Sequence, residues 1–121
     1  MTATTIVHTR WDDVTAEQLT PHVLRRYLST DRLTVAQFHL NAGGVVPRHS
    51  HENDQMTCVL SGALRFVWPG GTADVRAGET ARIPSQMAHE VHVLEDALVI
   101  DVFTPVRRDW IDGTDTYFHR A

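Results

Sequence analysis

Short apolar or alternating runs, each ended by turn-forming residues, follow one another along this chain from about Arg25 onward. Alternation of apolar and polar residues with a period of two is typical of strands that bury one face. The candidate strands occupy residues 33–40, 45–47, 55–60, 63–68, 72–76, 80–83, 89–94 and 97–103. Short strands in this number, joined by hairpin-length loops, predict an all-β fold, most simply a double-sheet jelly roll that forms a barrel.

Helix is expected to be minor and to lie near the N-terminus. Thr15 and Gln18 form a capping-box pattern, but Pro21 stops the helix after about one turn. A chain of 121 residues without repeats or a linker predicts one domain over residues 1–121, with the barrel core at about 25–110.

Charge and composition restrict the function. The net charge of −4 comes without a block of like charges, which argues against nucleic acid or a membrane as partner and favours a small-molecule substrate. The chain has no lysine, which excludes Schiff-base enzymes and P-loop nucleotide hydrolases. Cys58 is the single cysteine, and the first residues contain no apolar run typical of a signal segment. We therefore expect a cytoplasmic protein.

Four polar residues predict a metal site. His49 and His51 lie two apart, so in a strand both imidazoles point to the same face, and Gln55 has the same parity. His89 begins another apolar strand, which an antiparallel arrangement can bring opposite the pair. Three imidazoles and an amide oxygen suit one divalent transition metal, whether Mn, Fe, Ni, Cu or Zn, with two positions open for water or substrate.

Glycines frame the histidine pair at fixed distances. Five residues separate Gly43 from His49, three separate His51 from Gln55, and six separate Gln55 from Gly62. This segment, residues 43–62, resembles the first motif of the cupin superfamily, with Gln55 where most cupins carry glutamate. The resemblance implies a cupin barrel with its metal inside.

Residues 78–93 resemble the second cupin motif. Gly78, Pro84 and His89 stand in register with that motif. Gln86 replaces a glycine of the motif, and Val93 replaces an asparagine.

Within the superfamily, the chain is most similar to small cupins that ketonise unsaturated uronates in pectin and alginate breakdown. They share the glutamine at the position of Gln55 and a run that reads here from Asp101 to Arg107. The resemblance implies that Asp101, Phe103 and Arg107 lie at the substrate and that the protein is a homodimer. A similar run also occurs in zinc-binding polyketide cyclases.

Asp101 is the candidate general acid or base. It shares a strand face with Val99 and Phe103, and the opposite face of that strand is apolar too. Burial of a carboxyl raises its pKa toward the range that suits proton transfer. The alternative is an aspartate satisfied by backbone amides or by Arg107.

The neighbouring residues also allow two interpretations. Arg107 and Arg108 either clamp a substrate carboxylate or are surface charges, the latter being favoured for Arg108. Phe103 is either core or a wall of the substrate site. His92 and Cys58 have the wrong strand parity for the metal site.

These observations predict a metal-dependent isomerase or lyase that moves a proton on a small oxygen-rich substrate, such as a sugar acid or a carbonyl or enol compound. A neutral amide at Gln55 leaves the metal its full charge, which favours Lewis-acid chemistry over oxygen activation. The alternatives are a polyketide cyclase, an iron-dependent dioxygenase and a non-catalytic small-molecule-binding cupin.

Overall fold

The computed structural model describes residues 4–120 and contains eight strands. They are β1 (Glu17–Thr20), β2 (Val23–Ser29), β3 (Thr34–Leu40), β4 (Val45–His49), β5 (Asp54–Trp68), β6 (Gly71–Arg76), β7 (Thr80–Ile83) and β8 (His89–Thr104). A short helix, α1 (Arg108–Asp112), and two 3-10 segments (Trp11–Asp13 and Tyr117–Arg120) complete the elements. The all-β prediction is confirmed.

The sheet folds over on itself through its two long strands. Its order is β1-β2-β3-β8-β5-β6, with β4 paired to β8 and β7 paired to β5, and every pairing is antiparallel. Residues 55–58 of β5 pair with β7, whereas residues 63–68 pair with β6. The two ends of β5 therefore belong to different layers, as the predicted jelly roll requires.

The predicted strand breaks at Ser61-Gly62 and at Glu95-Asp96 are wrong. Residues 55–60 and 63–68 form one strand, and so do residues 89–94 and 97–103. The β5–β8 register shifts between Val59 and Leu64, which is a bulge and not a turn. A bulge bends a strand without ending it, so β5 and β8 can pass from one layer to the other.

The predicted helical turn after Thr15 is also wrong. Residues 17–20 are β1, which pairs with β2, a strand that the sequence pattern did not predict. The amide nitrogen of Gln18 donates hydrogen bonds to the carbonyl oxygens of Thr20 and Val23 and so supports the turn between the two strands. One turn of helix is too short to be stable by itself, and strand pairing prevails.

Strand alternation holds in β8. Val99, Asp101 and Phe103 are buried in the interior, while Ile100 and Val102 lie on the partly exposed outer face. The interior side chains of both layers form one apolar cluster, which contains Val23, Ala36, Phe38, Leu40, Val59, Leu64, Phe66, Val75, Ile83, Val91, Val93, Ala97, Val99, Phe103, Trp110, Tyr117 and Phe118. The histidines and Asp101 lie among these residues.

The segment after β8 packs against one side of this cluster. Trp110 is buried, and its ring lies under the guanidinium of Arg25 at 4.2 Å. Arg25 is itself buried and is paired with Asp115 at 2.9 Å and with Glu17 at 3.1 Å. Between residues 4 and 120, no helix combines the length and the apolar character needed to span a membrane.

We expect the bend of β5 to depend on Gly62. Its φ is +83°, and a Cβ there would lie 2.1 Å from the carbonyl oxygen of Asp96 on β8. Gly78 has a similar φ of +85° with nothing within 4 Å of a Cβ, so it is a matched control. Gly78→Ala should lower the free energy of unfolding by about 1 kcal/mol through backbone strain alone. Gly62→Ala should cost roughly 2 kcal/mol more, measured by urea denaturation, because it adds a clash. Equal losses would contradict this role.

Candidate metal centre

Strand pairing brings three histidines together. His49 ends β4 and is the direct cross-strand partner of His89 at the start of β8. His51 follows two residues later on the same side. One ring nitrogen from each of the three lies within 4.8 Å of the others, and His89 is fully buried. The predicted convergence of the histidine pair with His89 is confirmed.

The backbone fixes the ring orientation of each imidazole. The Nδ1 atom of His49 donates to the carbonyl oxygen of Pro47 at 2.9 Å, and that of His89 donates to the carbonyl of Met87 at 2.8 Å. His51 makes the same contact with Asn53 at 3.1 Å. Because Nδ1 carries the proton, Nε2 of each ring has a free lone pair, which is the arrangement seen in metal-ligating histidines.

Gln55 adds an oxygen to this cluster. Its Oε1 lies 3.0 Å from Nε2 of His51, and its amide nitrogen donates to the hydroxyl of Thr57 at 3.0 Å. With the tautomer set by Asn53, both atoms of the close pair are acceptors. Two acceptors at this distance repel each other unless a cation lies beside both. The four side chains therefore fit a divalent transition metal.

Burial keeps the imidazoles neutral. Desolvation, followed by the neighbouring His89, lowers the pKa of His49 to about 3. Desolvation, followed by the charge of Arg107, lowers the pKa of His51 to about 4. The pKa of His89 is lowered mainly by desolvation as well. Neutral imidazole is the form that binds a metal.

Asp101 lies in the same interior. It is the cross-strand partner of Thr57 on β5, and it is 8% exposed. Its Oδ1 atom is buried without a hydrogen-bond partner among the described residues. Desolvation raises its pKa to about 6, against the opposing effects of Thr57, Arg107 and Gln55. One carboxylate oxygen of Asp101 thus has no hydrogen-bond partner among the described residues, although Thr57, Gln55 and Arg107 act on the carboxyl group.

Arg107 is buried and not a surface charge. Its Nε and Nη2 atoms donate to the carboxylate of Asp109 at 2.9 and 2.7 Å, and Nη2 also donates to the hydroxyl of Tyr117 at 3.3 Å. The guanidinium lies over the rings of Phe103 at 4.7 Å and of Trp110 at 4.2 Å. These contacts leave Nη1 for other partners. Arg108 is exposed, as the sequence predicts.

Phe103 is a core residue that also touches the cluster. It is 2% exposed, and its ring meets that of His51 edge to face with 5.6 Å between centroids. Phe103 therefore belongs to the core and also lies against the histidine cluster.

Tyr117 is a site residue that the sequence motifs did not indicate. Its ring is stacked on that of His49, with centroids 4.0 Å apart and planes 3° from parallel. Its hydroxyl accepts hydrogen bonds from Arg107 and from Trp110. No spacing rule links residues 117 and 49, so only the fold places this ring beside the metal site.

The side chains that parity excluded do point away. His92 is paired with Glu90 at 2.7 Å on the outer face of β8. Cys58 is a free thiol on the outer face of β5 and is only partly buried.

The cluster surrounds a cavity of about 50 Å³, which is room for an ion and a few small ligands. Its lining contains His49, Gln55, His89, Asp101, Phe103, Arg107 and Tyr117.

We expect metal binding to depend on His89, the inward-facing histidine of β8, and not on the outward-facing His92. His89→Ala should lower zinc affinity at least 10²-fold, because a ligand is lost from the set of four. His92→Ala changes a histidine on the outer face of the same strand and should leave affinity unchanged. Equilibrium dialysis of metal-free protein against zinc measures both, and an equal loss in the two variants would argue against this centre.

The metal-free protein should lose stability in acid through the same residues. His49 protonates at about pH 6.5 when unfolded and near 3 when folded, so its contribution is complete above 6.5 and is lost as the pH falls. Between pH 7 and pH 5 the loss is about 2 kcal/mol for this one group. His49→Gln should reduce the pH dependence of the free energy of unfolding by that amount in urea titrations. An unchanged pH dependence would contradict the buried neutral state.

Comparison with known proteins agrees with this architecture. Over 103 residues the chain is 26% identical to the pectin degradation protein KdgF of Dickeya dadantii, covering 83% of this chain and 94% of that protein. The solved structure of KdgF from Halomonas sp. superposes with a TM-score of 0.75 at 29% identity, covering 82% of this chain and 94% of the other. An RmlC-like cupin from Shewanella frigidimarina has the same fold, with a TM-score of 0.80 at 20% identity, covering 88% and 96%.

A family model described as a cupin domain matches residues 36–103, more than half of the chain. That range contains the three converging histidines, Gln55 and Asp101, with His51 in the segment between β4 and β5 and the other four in paired strands. The chain belongs to the cupin family.

Proposed function

We propose that this protein is a metal-dependent enzyme that catalyses isomerisation or lyase-type proton transfer on a small oxygen-rich substrate, a carbonyl or enol compound or a sugar acid. The observation that carries the proposal is the unpartnered Oδ1 of Asp101, a residue that lines the same cavity as His49 and His89. A buried carboxyl without a partner is costly, and such groups are concentrated at sites that use them.

His49, His51, His89 and Gln55 hold the metal in this proposal. A divalent ion bound there supplies Lewis-acid polarisation of a substrate carbonyl or enol oxygen. The carbonyl contacts of the three Nδ1 atoms keep the rings oriented before substrate arrives. Preorganised ligands of this kind avoid the cost of reorienting side chains during the reaction.

Asp101 moves the proton. Its pKa of about 6 lies near neutrality, where a carboxyl can both give and take a proton efficiently. Thr57 lies opposite it on β5 and fixes its position, while Oδ1 is left for the substrate. The proton therefore passes between Oδ1 and a substrate carbon or oxygen inside the cavity.

Arg107 holds an anionic end of the substrate through Nη1, the guanidinium nitrogen that its contacts with Asp109 and Tyr117 leave unused. Phe103 forms the adjacent wall. The similarity to a pectin degradation protein supports a uronate as one member of the substrate class.

Asp101→Asn should abolish turnover without removing the metal. With a 4,5-unsaturated galacturonate as substrate, the ultraviolet absorbance of its double bond should disappear at least 10³-fold more slowly. The reason is that an amide cannot donate and accept a proton near neutral pH as a carboxyl does. Asp96→Asn alters an exposed residue of the same strand and serves as the control. Zinc content by elemental analysis should equal that of the wild type in both variants.

Three other outcomes would contradict this proposal in part or in whole. Turnover retained by Asp101→Asn would show that Asp101 is not the proton-transfer group. Oxygen consumption by the iron-loaded protein would indicate a dioxygenase. Saturable binding of the uronate without any turnover would indicate a binding module.

A further inference from the structure

A larger space lies next to the metal centre. It is a cleft of about 340 Å³, whereas the cavity among the histidines measures about 50 Å³ by the same measure. Of these two spaces, the cleft is the one whose volume falls in the range of small-molecule sites, roughly 300 to 1,000 Å³. Its lining consists of Phe66, Trp68, Ala73, Val75, Thr80, Ala81, Arg82, Ile83, Pro84, Met87 and His89.

The cleft exists because two strands separate. β6 and β7 are joined by a turn, but β6 pairs with residues 63–68 of β5 and β7 with residues 55–58. In the sheet formed by the described residues, β6 and β7 do not pair with each other. The two layers are therefore open on this side, and the barrel interior can be reached between them.

The cleft ends at the metal centre. Phe66 and His89 line both the cleft and the histidine cavity, so these two side chains form the wall between the spaces. A molecule seated in the cleft thus places its inner end beside one of the three converging histidines. This continuity distinguishes the cleft from an ordinary surface groove.

The walls of the cleft are apolar. Phe66, Val75 and Ile83 are buried, while Trp68 and Met87 are partly buried nearer the mouth. The indole of Trp68 lies over Gly71, where a Cβ would come within 2.8 Å of the ring, so the hairpin has room for the indole in this position. The polar members of the lining other than His89, which are Thr80 and Arg82, are exposed.

A polyhydroxylated ring in this cleft would lose its hydrogen bonds to water and find few replacements. An apolar ring gains from leaving water and can pack against Trp68. We propose that the substrates of this enzyme include carbonyl or enol compounds with an aromatic or similarly apolar body, which occupies the cleft while the oxygen end reaches the metal centre past Phe66. The chemistry of that oxygen end rests on the proposed function, whereas occupation of the cleft does not.

Acetophenone is a suitable probe, since it joins an apolar ring to one carbonyl oxygen. Titrated into metal-free and zinc-loaded protein, it should shift the NMR signals of the Trp68 indole and the Met87 methyl group in both forms. Galacturonate, which lacks an apolar body, should leave these signals in place. The opposite pattern, with galacturonate shifting them and acetophenone not, would overturn the proposal.

Ala73→Phe fills the cleft and should weaken acetophenone binding at least tenfold. Thr72→Phe adds the same ring to the neighbouring residue, which is exposed on the other face of β6, and should leave the affinity unchanged. Met87→Glu, which brings a charge to the apolar wall, should also weaken acetophenone binding at least tenfold. This variant tests the proposal if Ala73→Phe does not fold. Unchanged affinity in a folded cleft variant would overturn the proposal.

The two proposals fail separately. If acetophenone does not shift the NMR signals of Trp68 and Met87 but turnover still depends on Asp101, only the proposal of an apolar substrate body is refuted. Retained turnover in Asp101→Asn with acetophenone still bound in the cleft would refute only the proton-transfer role.

Discussion

The antiparallel pairing of β5 with β8 is the constraint on which the rest of the structure depends. It runs from Asp54 opposite Thr104 to Val67 opposite Glu90, across both layers. Within it, Thr57 meets Asp101, and β8 continues through His89 to pair with His49 on β4. A shift of β8 by one residue would turn His89 and Asp101 to the outside. The proposed metal ligands and Asp101 are therefore positioned by the pairing of β8 with β5 and with β4.

Burial acts on both kinds of ionisable group in this interior, in opposite directions. It lowers the pKa of the imidazoles and raises that of Asp101, so that each group is driven toward its neutral form. Three neutral imidazoles thus share this apolar interior with a carboxyl that takes up a proton more readily than an exposed one does. Arg107 remains charged there because Asp109 neutralises it at 2.7 Å.

Local spacing predicted that His49, His51 and His89 converge, because strand parity and the glycine frame are local properties. The same reasoning placed His92 outside and Asp101 inside. It did not find β1 and β2, whose pairing outweighs a weak helical pattern, nor the continuity of β5 through Gly62, which depends on the facing backbone of β8. Nor could it predict the burial of Arg107, which depends on partners contributed by α1 and by Tyr117.

The stacking of Tyr117 on His49 ties one proposed ligand to a segment outside the sheet. Every described strand and all four proposed ligands precede residue 108, whereas the ring that packs against His49 comes after α1. Detachment of the segment after α1 would therefore uncover one face of the His49 imidazole to water without breaking any strand pairing.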